Sequence, residues 1–289
     1  MKRIEASLPS VPPPTWAVLQ RNLIDVMNDS VHVFLGKYVR EDGALIWHDK
    51  PGGGGSLDDA YESVYNWPLF YALGGGDHLL PISLKLFEGI TRQYGKYGTV
   101  YKEYEKSSDW FHQGEGYIFF YYLGLADPTV RQNIDRAKRF AGFYLNEDPE
   151  VEEPLYDPKL KLVRSWHVGS RGADFHVWET YGWAEWSRPY GLPFEDVPGI
   201  TSYEDLKDPE NARRMGEVMN QRMDRGDVAA NLSSTSLLTN AYLYTGDEKY
   251  RRWVLEYVQA WIERTRQNDG TIPDNIGLSG RIGEYNDGK

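Results

Sequence analysis

Three stretches of this chain follow one plan: an aromatic-rich apolar run, a short Gly/Asp turn, and a run of mixed polarity. The first reads Tyr65–Asn66–Trp67–Pro68–Leu69–Phe70–Tyr71–Ala72–Leu73–Gly74–Gly75–Gly76–Asp77. The second is Gly116–Tyr117–Ile118–Phe119–Phe120–Tyr121–Tyr122–Leu123–Gly124–Leu125–Ala126–Asp127, and the third is Leu237–Leu238–Thr239–Asn240–Ala241–Tyr242–Leu243–Tyr244–Thr245–Gly246–Asp247. Glycine past a helix end allows the left-handed stop, and aspartate caps the helix that follows. Each unit therefore reads as a helix hairpin. Repeated hairpins that cannot bury their apolar faces singly stack into a solenoid or a toroid.

Extended along the chain, this pattern predicts helices near 15–38, 56–74, 78–94, 113–125, 128–146, 209–224, 228–245 and 247–267, an all-α fold. In the first, Thr15 is the expected cap, and Trp16, Leu19, Leu23, Ile24, Val26 and Met27 form the apolar side. Pro68 is expected to kink the second. The turn aspartates at 77, 127 and 247 are unevenly spaced, and the extra length is the segment from about 148 to 208. It holds too many prolines for one helix and too many aromatics for a disordered linker. It reads as an irregular insertion within a single domain over 1–289, with short strands expected only inside 160–180. The loop from Pro51 to Gly55 lacks the Gly-Lys-Ser/Thr ending of a phosphate cradle, so it reads as a flexible connection.

Composition narrows the function. The chain has 289 residues, a net charge of −11 and 40% hydrophobic residues, enough to bury a large core. Without cysteine it has no disulfides, no thiolate metal site and no cysteine nucleophile. An acidic chain without a basic run has nothing to neutralise phosphates, so no nucleic-acid partner is expected. No stretch approaches the roughly 18 apolar residues that span a membrane. The N-terminus has no apolar leader core, which predicts a cytoplasmic protein, or a secreted one if a leader has been removed. No His-x-x-x-His pair or calcium loop suggests a metal, no cofactor motif appears, and no nucleophile elbow supports Ser-His-Asp catalysis. The 21 tyrosines and 10 tryptophans suit the faces of sugars, and equally the packing of helical cores.

Using each turn aspartate as a ruler aligns Asp59, Glu62, Asp109, His112 and Glu115 at the starts of neighbouring apolar helices. Asp59, Glu62, His112 and Glu115 are the catalytic candidates. Ser56–Leu57–Asp58–Asp59 also fits a capping box, and Asp109 also reads as a cap. Gly114 and Gly116 weaken the helix around Glu115 unless something approaches closely there. Asn66, Trp110 and Tyr117 flank these positions as candidate substrate contacts. A second cluster, Arg164–Glu179, gathers His167, Arg171, His176 and Trp178, suited to a carboxylate and a sugar face. The same residues also fit a plainer role, pinning the insertion down with Arg171 paired to Asp174 or Glu179. Ser233, Ser234, Thr235 and Ser236 either line a cleft or let helices pack closely.

The Leu-Gly-Gly-Gly-Asp, Leu-Gly-Leu-Ala-Asp and Tyr-Thr-Gly-Asp-Glu-Lys-Tyr turns resemble those of the six-hairpin, or α/α toroid, carbohydrate-active enzymes. That group includes the unsaturated glucuronyl hydrolases and several polysaccharide lyases. The resemblance implies a ring of about twelve helices, whereas roughly eight are predicted here. The sequence ends at Gly283–Lys289, where another inner helix is expected to begin, so the expected toroid is open or the front part of a longer enzyme. The leading expectation is a glycoside hydrolase cleaving a carbohydrate, uronic-acid-containing substrates included. Glu115 is the expected acid, with Asp59 or Glu62 as its partner. A polysaccharide lyase with a His or Tyr base and Arg or His neutralising a uronate is the nearest rival. A non-catalytic helical-repeat scaffold is the third reading.

Overall fold

A computed structural model describes residues 11–46 and 56–286. The Pro51–Gly55 loop lies outside the described residues. Ten helices carry the fold: α1 (Thr15–Tyr38), α2 (Leu57–Glu62), α3 (Asn66–Ala72), α4 (Leu79–Tyr97), α5 (Trp110–Gly116), α6 (Ile118–Ala126), α7 (Arg131–Tyr144), α8 (Pro209–Arg222), α9 (Ser234–Thr245) and α10 (Glu248–Gln267), counted among the described residues. Short antiparallel pairs join them: β1 (Val100–Tyr101) with β2 (Tyr104–Glu105), β3 (Tyr156–Asp157) with β4 (Leu162–Val163), β5 (His167–Gly169) with β6 (Gly172–Asp174), and β7 (Asp227–Val228) with β8 (Asn275–Ile276). Strands thus also occur outside 160–180. Among the described residues, no helix is long and apolar enough to cross a membrane.

The helix expected over 56–74 breaks at Ser63–Tyr65, ahead of Pro68. Pro68 sits in the first turn of α3, where its missing N–H has no helical acceptor to lose, so it causes no kink there. The second apolar helix is likewise divided, into α5 and α6 around Tyr117. The third begins with a tight 3-10 turn over Ala229–Ser233. Thr15 is the first helical residue and not the cap; Pro14 precedes it, and no side chain caps α1. Of the turn aspartates, Asp247 caps α10 by accepting from Lys249 N–H. Asp127 accepts from Thr129 in the turn before α7, while His78 occupies the cap position of α4.

The divided helices lie side by side: α2 on α5, α3 on α6, α5 on the 229–233 turn, and α6 on α9. Behind them, α4 packs on α2, α3 and α6, while α7 and α10 pack on α9. Tyr61, Phe87, Tyr117, Phe119, Phe120 and Phe140 fill the space between, fully buried and in mutual ring contact. Arg136 of α7 is buried with them and is held by Glu88 at 2.5 Å and Glu103 at 2.6 Å. The insertion is folded. It has its own apolar cluster of Val197, Ile200, Tyr203 and Leu206, closed by Met215 and Met219 of α8. Helix α1 departs from expectation, because Trp16, Leu19, Leu23 and Val26 are each more than half exposed. It is fastened instead through Val31, the Phe34 contact with Trp67, and the Asn28 side chain accepting from Gly76 N–H.

Asp227 ties the third unit together. Its carboxylate accepts from Val163 N–H, Asn231, Tyr257 and Trp261, linking β4, the 229–233 turn and α10. Burial pushes its pKa up to about 7 against the pull of those donors. The folded form therefore holds a proton that the unfolded form has released, and stability declines as pH rises through that interval toward 7. Asp227→Asn sets an amide N–H against donors. It should lower unfolding free energy by about 2 kcal/mol and remove this part of the decline, as read by chemical denaturation at pH 5 and pH 8.

Candidate functional site

On α2, Asp58 and Glu62 stand one turn apart on a common face. On α5, His112 and Glu115 stand on the open side, while Trp110, Gln113 and Gly116 face inward. The two helices nearly touch: a Cβ on Gly116 would lie 3.0 Å from the Cα of Asp58. A side chain at 116 would crowd the approach of α2, the close approach that the sequence around Glu115 suggested.

Asp109 caps α5, with Oδ1 accepting from Phe111 N–H at 2.9 Å and His112 N–H at 3.1 Å. Its Oδ2 lies 2.8 Å from His112 Nδ1 and 4.0 Å from His167 Nε2. His167 Nδ1 in turn meets Asp224 Oδ1 at 2.7 Å. His112, Asp109, His167 and Asp224 thus alternate imidazole and carboxyl across α5, the β5–β6 hairpin and the segment after α8. The hairpin is placed by Gly169, whose Cα passes so close to the Glu105 carbonyl that a Cβ would lie 2.3 Å from it.

The electrostatics follow from this crowding. Glu105 is buried, and its carboxyl is pushed up to about 8, by burial first and then by Asp58 and Asp109, with His112 and Ser108 pulling back. Glu62 is raised by burial, then by Glu115, Asp58 and Asp59. Burial alone would lower His112, but the hydrogen bond and charge of Asp109, reinforced by Asp58 and Glu105, hold it above the usual imidazole range. Burial also raises Asp224, against the pull of His167. One carboxylate oxygen each of Asp58 and Asp224 is buried without a hydrogen-bond partner. Among the described residues, no group of three His, Asp or Glu side chains is disposed to hold a metal ion.

The structure brings Glu62, Glu115 and His112 close enough for their charges to act on one another, and sets Asp109 between His112 and His167. Asp59 is exposed and closes the capping box with Ser56. Asn66 is exposed at the start of α3. Trp110 and Tyr117 belong to the interior, where Trp110 Nε1 donates to Tyr144 at 2.9 Å and the Tyr117 hydroxyl accepts from Glu105 N–H at 3.1 Å. Arg171, at the hairpin tip, stacks over the Tyr101 ring at 3.8 Å. His176 is exposed, its N–H donating to Asp174. Trp178 meets His167 edge to face, at 5.5 Å between ring centroids. Sequence reasoning missed Asp58, Glu105 and Asp224. The four-residue step to Glu62 was a signal for Asp58; Glu105 and Asp224 lie in no motif.

The chain belongs to the family described as domain of unknown function DUF8034, whose profile matches residues 3–289. No curated protein and no solved structure matches it. Replacing Asp109 with Asn removes the partner that raises His112, so the imidazole should titrate at lower pH. Proton NMR of the histidine rings checks this, and an unmoved His112 titration would contradict the pairing.

Proposed function

We propose that the chain is a glycoside hydrolase of the six-hairpin, α/α toroid type, with its active site in the cleft between α2 and α5. The side-by-side packing of α2, which ends in Glu62, on α5, which carries Glu115 in its last turn, supports this reading. Glu62 is the proton donor: it is half-buried and so reachable, and burial with the neighbouring Glu115 shifts its pKa upward, the direction an acid catalyst needs. Glu115, exposed across the cleft, is the partner that activates water or attacks the anomeric carbon. These roles exchange those expected from sequence, because Glu115 lies open to solvent whereas Glu62 is the crowded carboxyl. The observation that carries the proposal is this raised Glu62 beside Glu115.

His112, whose proton affinity is raised by the hydrogen bond and charge of Asp109, supplies positive charge among these acids when protonated and then suits a uronate carboxylate. Arg171, the cation expected to neutralise a uronate in a lyase, is engaged on Tyr101.

Glu62→Gln should abolish hydrolysis of neutral and uronate-containing oligosaccharides by a factor of about 10² or more. An aryl glycoside whose leaving group needs no proton should restore turnover to Glu62→Gln and not to Glu115→Gln. Equal turnover by wild type and Glu62→Gln on unactivated substrates would remove Glu62 from the role, and a product absorbing in the ultraviolet would mark a lyase instead. With an acid of raised pKa, activity is expected to fall as pH rises and Glu62 loses its proton. Glu115→Gln removes one of the charges that raise Glu62 and should move that alkaline limb to lower pH in whatever activity remains.

A further inference from the structure

A pocket of about 320 Å³ lies where α5, the insertion, the end of α8 and β8 meet. Phe111, Trp166, Phe194 and Tyr285 supply ring surfaces to it, and Asp274 and Asn275 supply polar groups. Phe111 directly precedes His112 and Trp166 directly precedes His167, and their two rings meet edge to face at 5.9 Å. We propose that this pocket binds one neutral, hydroxyl-rich ring, the chemistry of a hexose or pentose residue. Its role as a subsite beside the catalytic carboxyls rests on the hydrolase reading, whereas the binding itself does not.

Size sets the first limit, because the volume lies at the small end of small-molecule sites, enough for one ring and not for a chain. The aromatic walls favour a ligand with apolar C–H faces. Asn275 sets the polar requirement. It is only 6% exposed, yet neither its Oδ1 nor its Nδ2 has a hydrogen-bond partner, and the buried Nε1 of Trp166, another lining residue, has none either. Each such group left unmade costs about 1–3 kcal/mol. An amide offers a donor and an acceptor side by side, and a hydroxyl answers both because it accepts and donates. A carboxylate would satisfy only the N–H groups, and an ammonium only the carbonyl oxygen.

Charge argues in the same direction. Arg222 is the cation among the lining residues, and Asp196 holds it through two bonds of 2.6 and 3.0 Å while its guanidinium stacks on Phe194 at 4.8 Å. It is therefore committed within the pocket wall. Asp274 would repel an anion. The pocket thus selects against the uronate that His112 suits next door, and pairs a neutral residue with a charged neighbour.

The test is saturation-transfer NMR with calorimetry on the intact chain. The probes are methyl glycosides of glucose, galactose, mannose and xylose, methyl glucuronide, and cyclohexylmethanol as an apolar ring. At least one neutral glycoside should bind more tightly than the glucuronide and the apolar ring. Its affinity should drop by about tenfold, one lost hydrogen bond or ring contact, in Asn275→Leu and in Phe111→Ala, and hold in Glu62→Gln. Phe111 is 62% exposed, so Phe111→Ala keeps the test valid if the buried Asn275 variant does not fold. No binding by any neutral glycoside, preference for the glucuronide or the apolar ring, or affinity indifferent to Phe111→Ala would overturn the proposal. Such a failure alongside intact Glu62-dependent hydrolysis counts against the pocket alone. Sugar binding by a chain that hydrolyses no glycoside upholds the pocket and counts against the hydrolase reading.

Discussion

The contact of α2 with α5 through Gly116 governs the rest of the site. Because a bare Cα at Gly116 meets the backbone of Asp58, the last turn of α5 and the first turn of α2 pack closely and bring their acids together. Burial raises the proton affinity of these carboxyls and like charges so placed add to it, which is why Glu62 and Glu105 both sit above the ordinary carboxyl range. Spread apart on a surface, the same residues would be ordinary solvated acids. The packing of two helices thus becomes the proton inventory of the cleft.

Burial of charge has two different outcomes in this molecule. Arg136 is enclosed by Glu88 and Glu103, so each charge meets an opposite one and the cluster joins α7 to α4 and to the turn between β1 and β2. Around α2 and α5, imidazoles are too few to match the carboxyls. His112 and His167 share Asp109, Asp224 takes the far side of His167, and Asp58 and Asp224 each keep a buried oxygen unsatisfied. Matched burial of the first kind is structural. The mismatched kind carries an unmet demand for protons or ligand donors, which is the condition under which acid–base chemistry is poised.

Much of this was legible in sequence, for reasons that differ by element. Helices α4 and α10 show their 3.6-residue period openly, and Asp109 could be read as a cap because its target N–H groups lie two and three residues away. Interactions between distant segments were not legible. Glu105 owes its burial to a hairpin that packs over it through Gly169, and nothing around Glu105 announces that partner. Trp110 and Tyr117 looked like sugar platforms because an aromatic ring reads alike whether it faces a cavity or the core. Asp58 and Asp59 are adjacent, and the capping box that claims Asp59 is what turns Asp58 inward. The break at Ser63–Tyr65 was missed because Pro68 drew the expected kink to itself, although proline is harmless in a first helical turn.

Helix α1 bears two faces of opposite fate. Its later half is fastened by Asn28, Val31 and Phe34, whereas the tryptophan and leucines of its first half lie outside the core. Those side chains add nothing to the cohesion of the body they project from. The amide protons of the first three turns should consequently exchange with solvent long before those at the anchored end, even though the backbone forms one unbroken coil.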